Sequence, residues 1–183
     1  MRTMLALCVF LAAAVGAQAG ELAGVTMTDT IEVGDQQLVL NGMGLRKKAI
    51  VKVYVAGLYL PTKKNNAENI LASDTARRLV MDFRFGVSGK KMCGAWEECL
   101  EVNVANATDQ VKADFDRLCG FMDDMEKGEK IIFTYLPGKG TATSVKGLRK
   151  GTIEGKPFAD ALYSCWIGPN PPGAAFKKGL LGE

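Results

Sequence analysis

Arg46 is the side chain in this sequence best placed to do chemistry. It lies in Asn41-Gly42-Met43-Gly44-Leu45-Arg46-Lys47-Lys48, which runs straight into Ala49-Ile50-Val51-Lys52-Val53-Tyr54-Val55-Ala56-Gly57-Leu58-Tyr59-Leu60-Pro61. Read from sequence, a glycine-rich turn delivers a guanidinium to the mouth of a long β-branched strand. The glycines permit close backbone approach. A guanidinium grips a carboxylate or delocalised enolate through paired, charge-assisted hydrogen bonds. Beside an apolar interior, that chemistry suits a ligand with an anionic head and a greasy body. Tyr54 is a second candidate, on the mixed face of the same strand with Lys52 and Ile50. On a straight strand, eight residues at ~3.3 Å each place Arg46 and Tyr54 about 26 Å apart. They share one head group only if the chain bends near Lys47 to Ala49.

Other chemistries are closed off by composition. The chain has no histidine. That removes Ser-His-Asp and Cys-His nucleophilic sites together with the commonest transition-metal ligand. Cys93, Cys99, Cys119 and Cys165 match no zinc spacing, so neither a metal nor another cofactor is expected. Glu97, Glu98 and Glu101 read as an exposed helix face rather than an acid–base pair.

The first residues read as a secretory signal peptide. Arg2 forms the positive region, Met4 to Val15 the apolar region, and Ala17-Gln18-Ala19 a small-residue cleavage site. The apolar run is shorter than the roughly 20 residues a membrane span needs, so no stable anchor is expected. Cys8 precedes most of that run, the wrong order for a lipoprotein site. Residues 1–19 are thus expected to be removed, leaving one domain over 20–183 in the periplasm or outside the cell. Without Arg2, the 23 basic residues become 22 against 20 acidic. So neutral a balance leaves no electrostatic footprint for nucleic acid. The four mature cysteines of an exported chain favour disulfides, with three possible connectivities. Cys93 with Cys99 is disfavoured within one helix, and Cys99 with Cys119, clipping two successive helices, is preferred.

The elements that must position these residues follow from periodicity. Thr30 to Val33 and Gln37 to Leu40 read as strands turning at Gly34-Asp35, followed by a bend at Gly42 and Gly44. Ala49 to Leu60 alternates with one fully apolar face, as in an antiparallel sheet covered on one side. Asn65 to Leu71 suggests a short helix and Arg77 to Val87 a strand. Helices are expected from the Ser88 cap to about Ala105 and over Asp109 to Met125. Strands at Lys130 to Leu136, Thr141 to Lys146 and Leu148 to Ile153 precede helices at Pro157 to Trp166 and Ala174 to Leu180. Phe83, Phe85, Phe115, Phe121 and Met122 are assigned to the core. Helices segregated against an antiparallel sheet make this an α+β fold.

Three segments together resemble the bacterial chalcone-isomerase-like family. They are Asn41 to Leu60, then Ala95-Trp96-Glu97-Glu98-Cys99-Leu100 with Asn103, then Lys150 to Leu162 continuing through Trp166-Ile167-Gly168-Pro169-Asn170-Pro171-Pro172 to Lys178-Gly179-Leu180-Leu181-Gly182. The resemblance implies an open-faced β-sandwich, a large antiparallel sheet backed by a helical layer with a cleft between them. It also implies one of two functions. Catalytic members close a flavanone ring, whereas others bind fatty acids or assist other enzymes. Carried over by motif, the catalytic arginine falls on Arg46 and the strand threonine on Tyr54. The helix tyrosine and asparagine fall on Trp96 and Asn103, and the last hydroxyl position falls on Cys165.

Only Arg46 and Asn103 keep the family's residue types. An indole offers no phenolic hydroxyl, and losing one donor to a developing oxyanion costs about 10²–10³ in rate in a comparable case. The expectation is therefore a non-catalytic binder of a small amphipathic ligand such as a fatty acid. The alternatives are an isomerase or intramolecular lyase acting on an unsaturated ketone, with Arg46 as electrostatic catalyst, and a cell-envelope protein docking a protein partner through Gly168 to Pro172.

Overall fold

The computed structural model describes residues 19–183, so the expected signal peptide, apart from Ala19 at its end, lies outside the described residues. The chain opens with a small hairpin, β1 (Ala19–Leu22) and β2 (Val25–Thr28). Next come β3 (Thr30–Val33), β4 (Gln36–Lys48) and β5 (Val51–Leu60), then α1 (Ala67–Ala72) and β6 (Arg77–Phe83). Two helices follow, α2 (Gly89–Asn103) and α3 (Asp109–Cys119). The strands β7 (Lys130–Leu136), β8 (Gly140–Val145) and β9 (Leu148–Ile153) lead to α4 (Lys156–Ile167) and α5 (Ala174–Leu180).

Strands β3 to β9 form one seven-stranded antiparallel meander in sequence order. On one face, Leu58, Leu79, Phe133 and Ile153 pack with Trp96, Phe115, Phe158 and Trp166 of the helices. This is the expected α+β sheet backed by helices. Fully burying each such side chain is worth about 1.5–3 kcal/mol. The helix starts follow the sequence: Ser88 accepts from the Lys91 backbone N–H at 3.3 Å, and Thr108 does the same for Val111 at 3.3 Å.

Three expectations are corrected. The sheet is covered on both faces: Val55 and Tyr59 point away from the helices into a second core with Val25, Met27 and Leu38. The short hairpin β1–β2 supplies that cover, and its few residues carry too little periodicity to announce it.

The bend expected at Gly42 and Gly44 lies elsewhere. Both glycines sit inside β4, where α5 crosses so closely that a Cβ on either would strike its backbone. The chain turns instead between Lys48 and Val51, with Ala49 in the left-handed region at φ 52°. Finally, the disulfides are Cys93–Cys119 and Cys99–Cys165, each with Cα atoms 5.4 Å apart. The preferred Cys99–Cys119 pairing fails because Cys99 is on the face of α2 turned to α4, whereas Cys93, nearer the helix start, meets the end of α3.

Candidate functional site

The turn at Ala49 decides the site. Because β4 and β5 fold back as a hairpin, Arg46 and Tyr54 are directly opposed cross-strand partners. Such partners have Cα atoms about 5 Å apart and share a face of the sheet. The 26 Å separation of a straight strand is thereby removed. A register shift between Arg46 and Lys47 marks a bulge beside the pair, a device that re-aims side chains.

Tyr54 packs against Phe83 and Phe176 with ring centroids 5.7 and 5.8 Å away. Its hydroxyl oxygen accepts from Trp166 Nε1 at 3.2 Å, which leaves the phenolic hydrogen to be donated elsewhere. Burial pushes the Tyr54 phenol up to about 12, against the smaller opposing influences of the Trp166 hydrogen bond and the Arg46 charge. Tyr54 is therefore a neutral donor throughout the physiological range. Arg46 Nη1 donates to the backbone oxygens of Lys47, at 3.0 Å, and Pro172. Among the described residues Arg46 has no carboxylate partner, and its Nε and Nη2 groups find no acceptor.

Both side chains line a cleft of about 560 Å³ between the sheet and the helices. That volume lies within the roughly 300–1,000 Å³ of small-molecule sites. The apolar lining comes from Met81 and Phe83 of β6, Met92 and Trp96 of α2, and Trp166 of α4. Trp96 is buried and meets Phe133 edge-on at 5.8 Å. Cys165 also lines the cleft, but its sulfur is bonded to Cys99, so it supplies no donor and instead ties α2 to α4 along the wall.

Four of the five sequence candidates, Arg46, Tyr54, Trp96 and Cys165, thus meet at one cleft. Asn103 does not line it. Its Nδ2 donates to the Asn170 oxygen at 3.1 Å and its Oδ1 accepts from the Asn170 backbone N–H at 2.7 Å. It therefore holds the Asn170-Pro171-Pro172 rim against α2. Sequence reasoning missed Trp166 as the partner of Tyr54 and the Pro172 carbonyl as the anchor of Arg46. An indole N–H near a lone strand tyrosine was the available signal, but no spacing rule brings α4 to β5. Phe85, assigned to the core, is 55% exposed at the cleft mouth, because β6 ends at Phe83.

An antiparallel sheet and a helical layer thus enclose an apolar cleft with a cationic side chain at its head. The chain belongs to the chalcone isomerase-like family, whose pattern it matches over residues 19–182. Among solved structures it is similar to an Arabidopsis thaliana fatty-acid binding protein, with a TM-score of 0.72 and 16% identity over 90% of this chain and 96% of that one. At that identity the likeness establishes the fold. Comparison with curated protein sequences gives no match.

Proposed function

We propose that this protein binds a small amphipathic carboxylate, a fatty acid or a molecule like it, without transforming it. The observation that carries this reading is the opposition of Arg46 and Tyr54 at the head of an apolar cleft. The free edge of the guanidinium suits two carboxylate oxygens, and the Tyr54 hydroxyl offers a third hydrogen bond. Met81, Phe83, Met92, Trp96 and Trp166 provide an apolar wall for the tail. Catalysis is disfavoured by chemistry at two positions. Trp96 stands where catalytic relatives use a tyrosine, and Cys165, in the last hydroxyl position, is held in a disulfide. We further propose export to an oxidising compartment, which two disulfides favour.

The test is organic extraction of the protein purified from its native host, with mass spectrometry of what is released. Near-stoichiometric long-chain carboxylates, lost from Arg46→Ala, are expected. A wild type as empty as Arg46→Ala contradicts the reading, and turnover of α,β-unsaturated ketones would replace it with the isomerase.

A further inference from the structure

The described residues expose five large apolar side chains: Ile50, Val51, Phe85, Val102 and Leu148. Three of them, Val51, Phe85 and Val102, line the cleft, and Ile50 precedes Val51 at the tip of the β4–β5 hairpin. Ile50 is 95% exposed, an unusual outlay for a residue with nothing to pack against. Exposed apolar surface is therefore gathered at the mouth of one cleft.

The same mouth is cationic. Lys47 and Lys52 are directly opposed across the hairpin, and like charges in that relation destabilise a strand pair. Lys48 and Lys91 line the cleft entrance. Among the described residues none of these four lysines has an acidic partner within ion-pair distance. Glu98 is the single carboxylate among the residues lining the cleft. An isoleucine tip flanked by unpaired lysines is complementary to a surface with anionic headgroups over an apolar interior. No described helix is long and apolar enough to cross a membrane, and the contact such a tip suits is with the bilayer surface.

We propose that the Lys47–Lys52 hairpin tip, with Val51 and Phe85, docks this protein on anionic lipid bilayers so that the cleft opens onto the lipid surface. The inference deepens the proposed function and rests on it: a lipid-like ligand with poor water solubility would pass between bilayer and cleft without crossing bulk water. Arg46 would then stand just inside the entrance, where an anionic head arrives.

The test is co-sedimentation of purified protein with vesicles of phosphatidylcholine alone and of an equimolar phosphatidylcholine–phosphatidylglycerol mixture. Binding of dodecanoate in solution is measured in parallel. The wild type should bind the anionic vesicles preferentially and lose them as salt rises to ~0.5 M. Each lysine near an anionic surface contributes about fivefold, so Lys47→Gln with Lys52→Gln should weaken vesicle binding about 25-fold. Ile50→Ser should weaken it roughly tenfold through lost apolar burial. These residues do not line the cleft, so both variants should retain dodecanoate binding and their melting temperature.

Equal, weak binding of the wild type to both vesicle types overturns the proposal, as does strong anionic binding that these variants leave untouched. A dimer that Ile50→Ser splits, with no vesicle binding, assigns the tip to a second copy instead and equally overturns it. Dodecanoate bound without docking leaves the cleft reading intact, whereas docking without dodecanoate removes the cleft reading and supports the surface.

Discussion

Two arginines on this sheet show opposite uses of the same side chain. Arg77, at the start of β6, is 1% exposed. Its guanidinium pairs with Asp160, donates to the Ile70 oxygen at 3.1 Å, and lies between the rings of Tyr135 and Tyr163, 4.9 and 4.7 Å from their centroids. Only its Nε lacks a partner. Arg46 is half-buried, anchored through one nitrogen to backbone oxygens, and meets no acid among the described residues. Burial alone therefore does not mark a site. Arg77 has its charge neutralised by the protein and serves to hold α1 and α4 on the sheet. Arg46 has no such acid beside it among the described residues and faces a largely apolar cleft, which is where the proposed function seats an anionic head.

That contrast is broken most severely at Arg77. Arg77→Ala leaves Asp160 with Lys156 as its ion partner but empties a buried site between Tyr135 and Tyr163, and should cost about 2–5 kcal/mol, as truncating a large buried side chain does. Urea unfolding measures it, and binding per folded molecule should not change. The disulfides come next. Replacing Cys99 and Cys165 by serine should cost about 3 kcal/mol and also weaken ligand binding, because this bridge is part of the cleft wall. Replacing Cys93 and Cys119 should cost a similar amount of stability with affinity unaltered. Equal affinity losses in the two double variants would break the assignment of only one bridge to the site.

A smaller effect is expected at Asn103. Asn103→Ala frees the Asn170–Pro172 rim and with it the Pro172 anchor of Arg46. Affinity should fall by about 1 kcal/mol, the typical net worth of a hydrogen bond, with the melting temperature moving little. The smallest effect concerns pH. With no histidine in the chain and Tyr54 pushed up to about 12, carboxylate binding should be flat between about pH 6 and 9. Because the folded state holds the Tyr54 proton more tightly than the unfolded chain, its contribution to stability is complete below about pH 10 and is lost as pH rises toward 12. Calorimetric titrations across pH and the alkaline phenolate absorbance follow these two behaviours.

Much of this was legible in the sequence where the signal was local. The Ser88 cap, the strand over Lys130 to Leu136 and the turn after Val33 each depend on residues a few places apart. What stayed hidden depended on long-range approach. Gly42 and Gly44 looked like a bend because glycine frees the backbone, yet they are needed where α5 lies against β4, more than 130 residues later. The turn itself falls at Lys48-Ala49-Ile50, where no glycine, proline or asparagine announces it. A straight strand would hold Arg46 and Tyr54 about 26 Å apart, and recognising that only a bend near Lys47 to Ala49 unites them was as far as spacing alone could go. The Cys99–Cys165 bridge was illegible for the same reason, since it follows from how α4 crosses α2.

The central claim is that Arg46, and not the buried Arg77, holds the anionic head of a ligand. Calorimetric titration of dodecanoate into the wild type and Arg46→Ala tests it most directly. Loss of charge-assisted hydrogen bonds worth about 1.5–3 kcal/mol predicts an affinity about 10- to 150-fold lower in Arg46→Ala, at unchanged stability. Equal affinities in the two proteins would contradict the account.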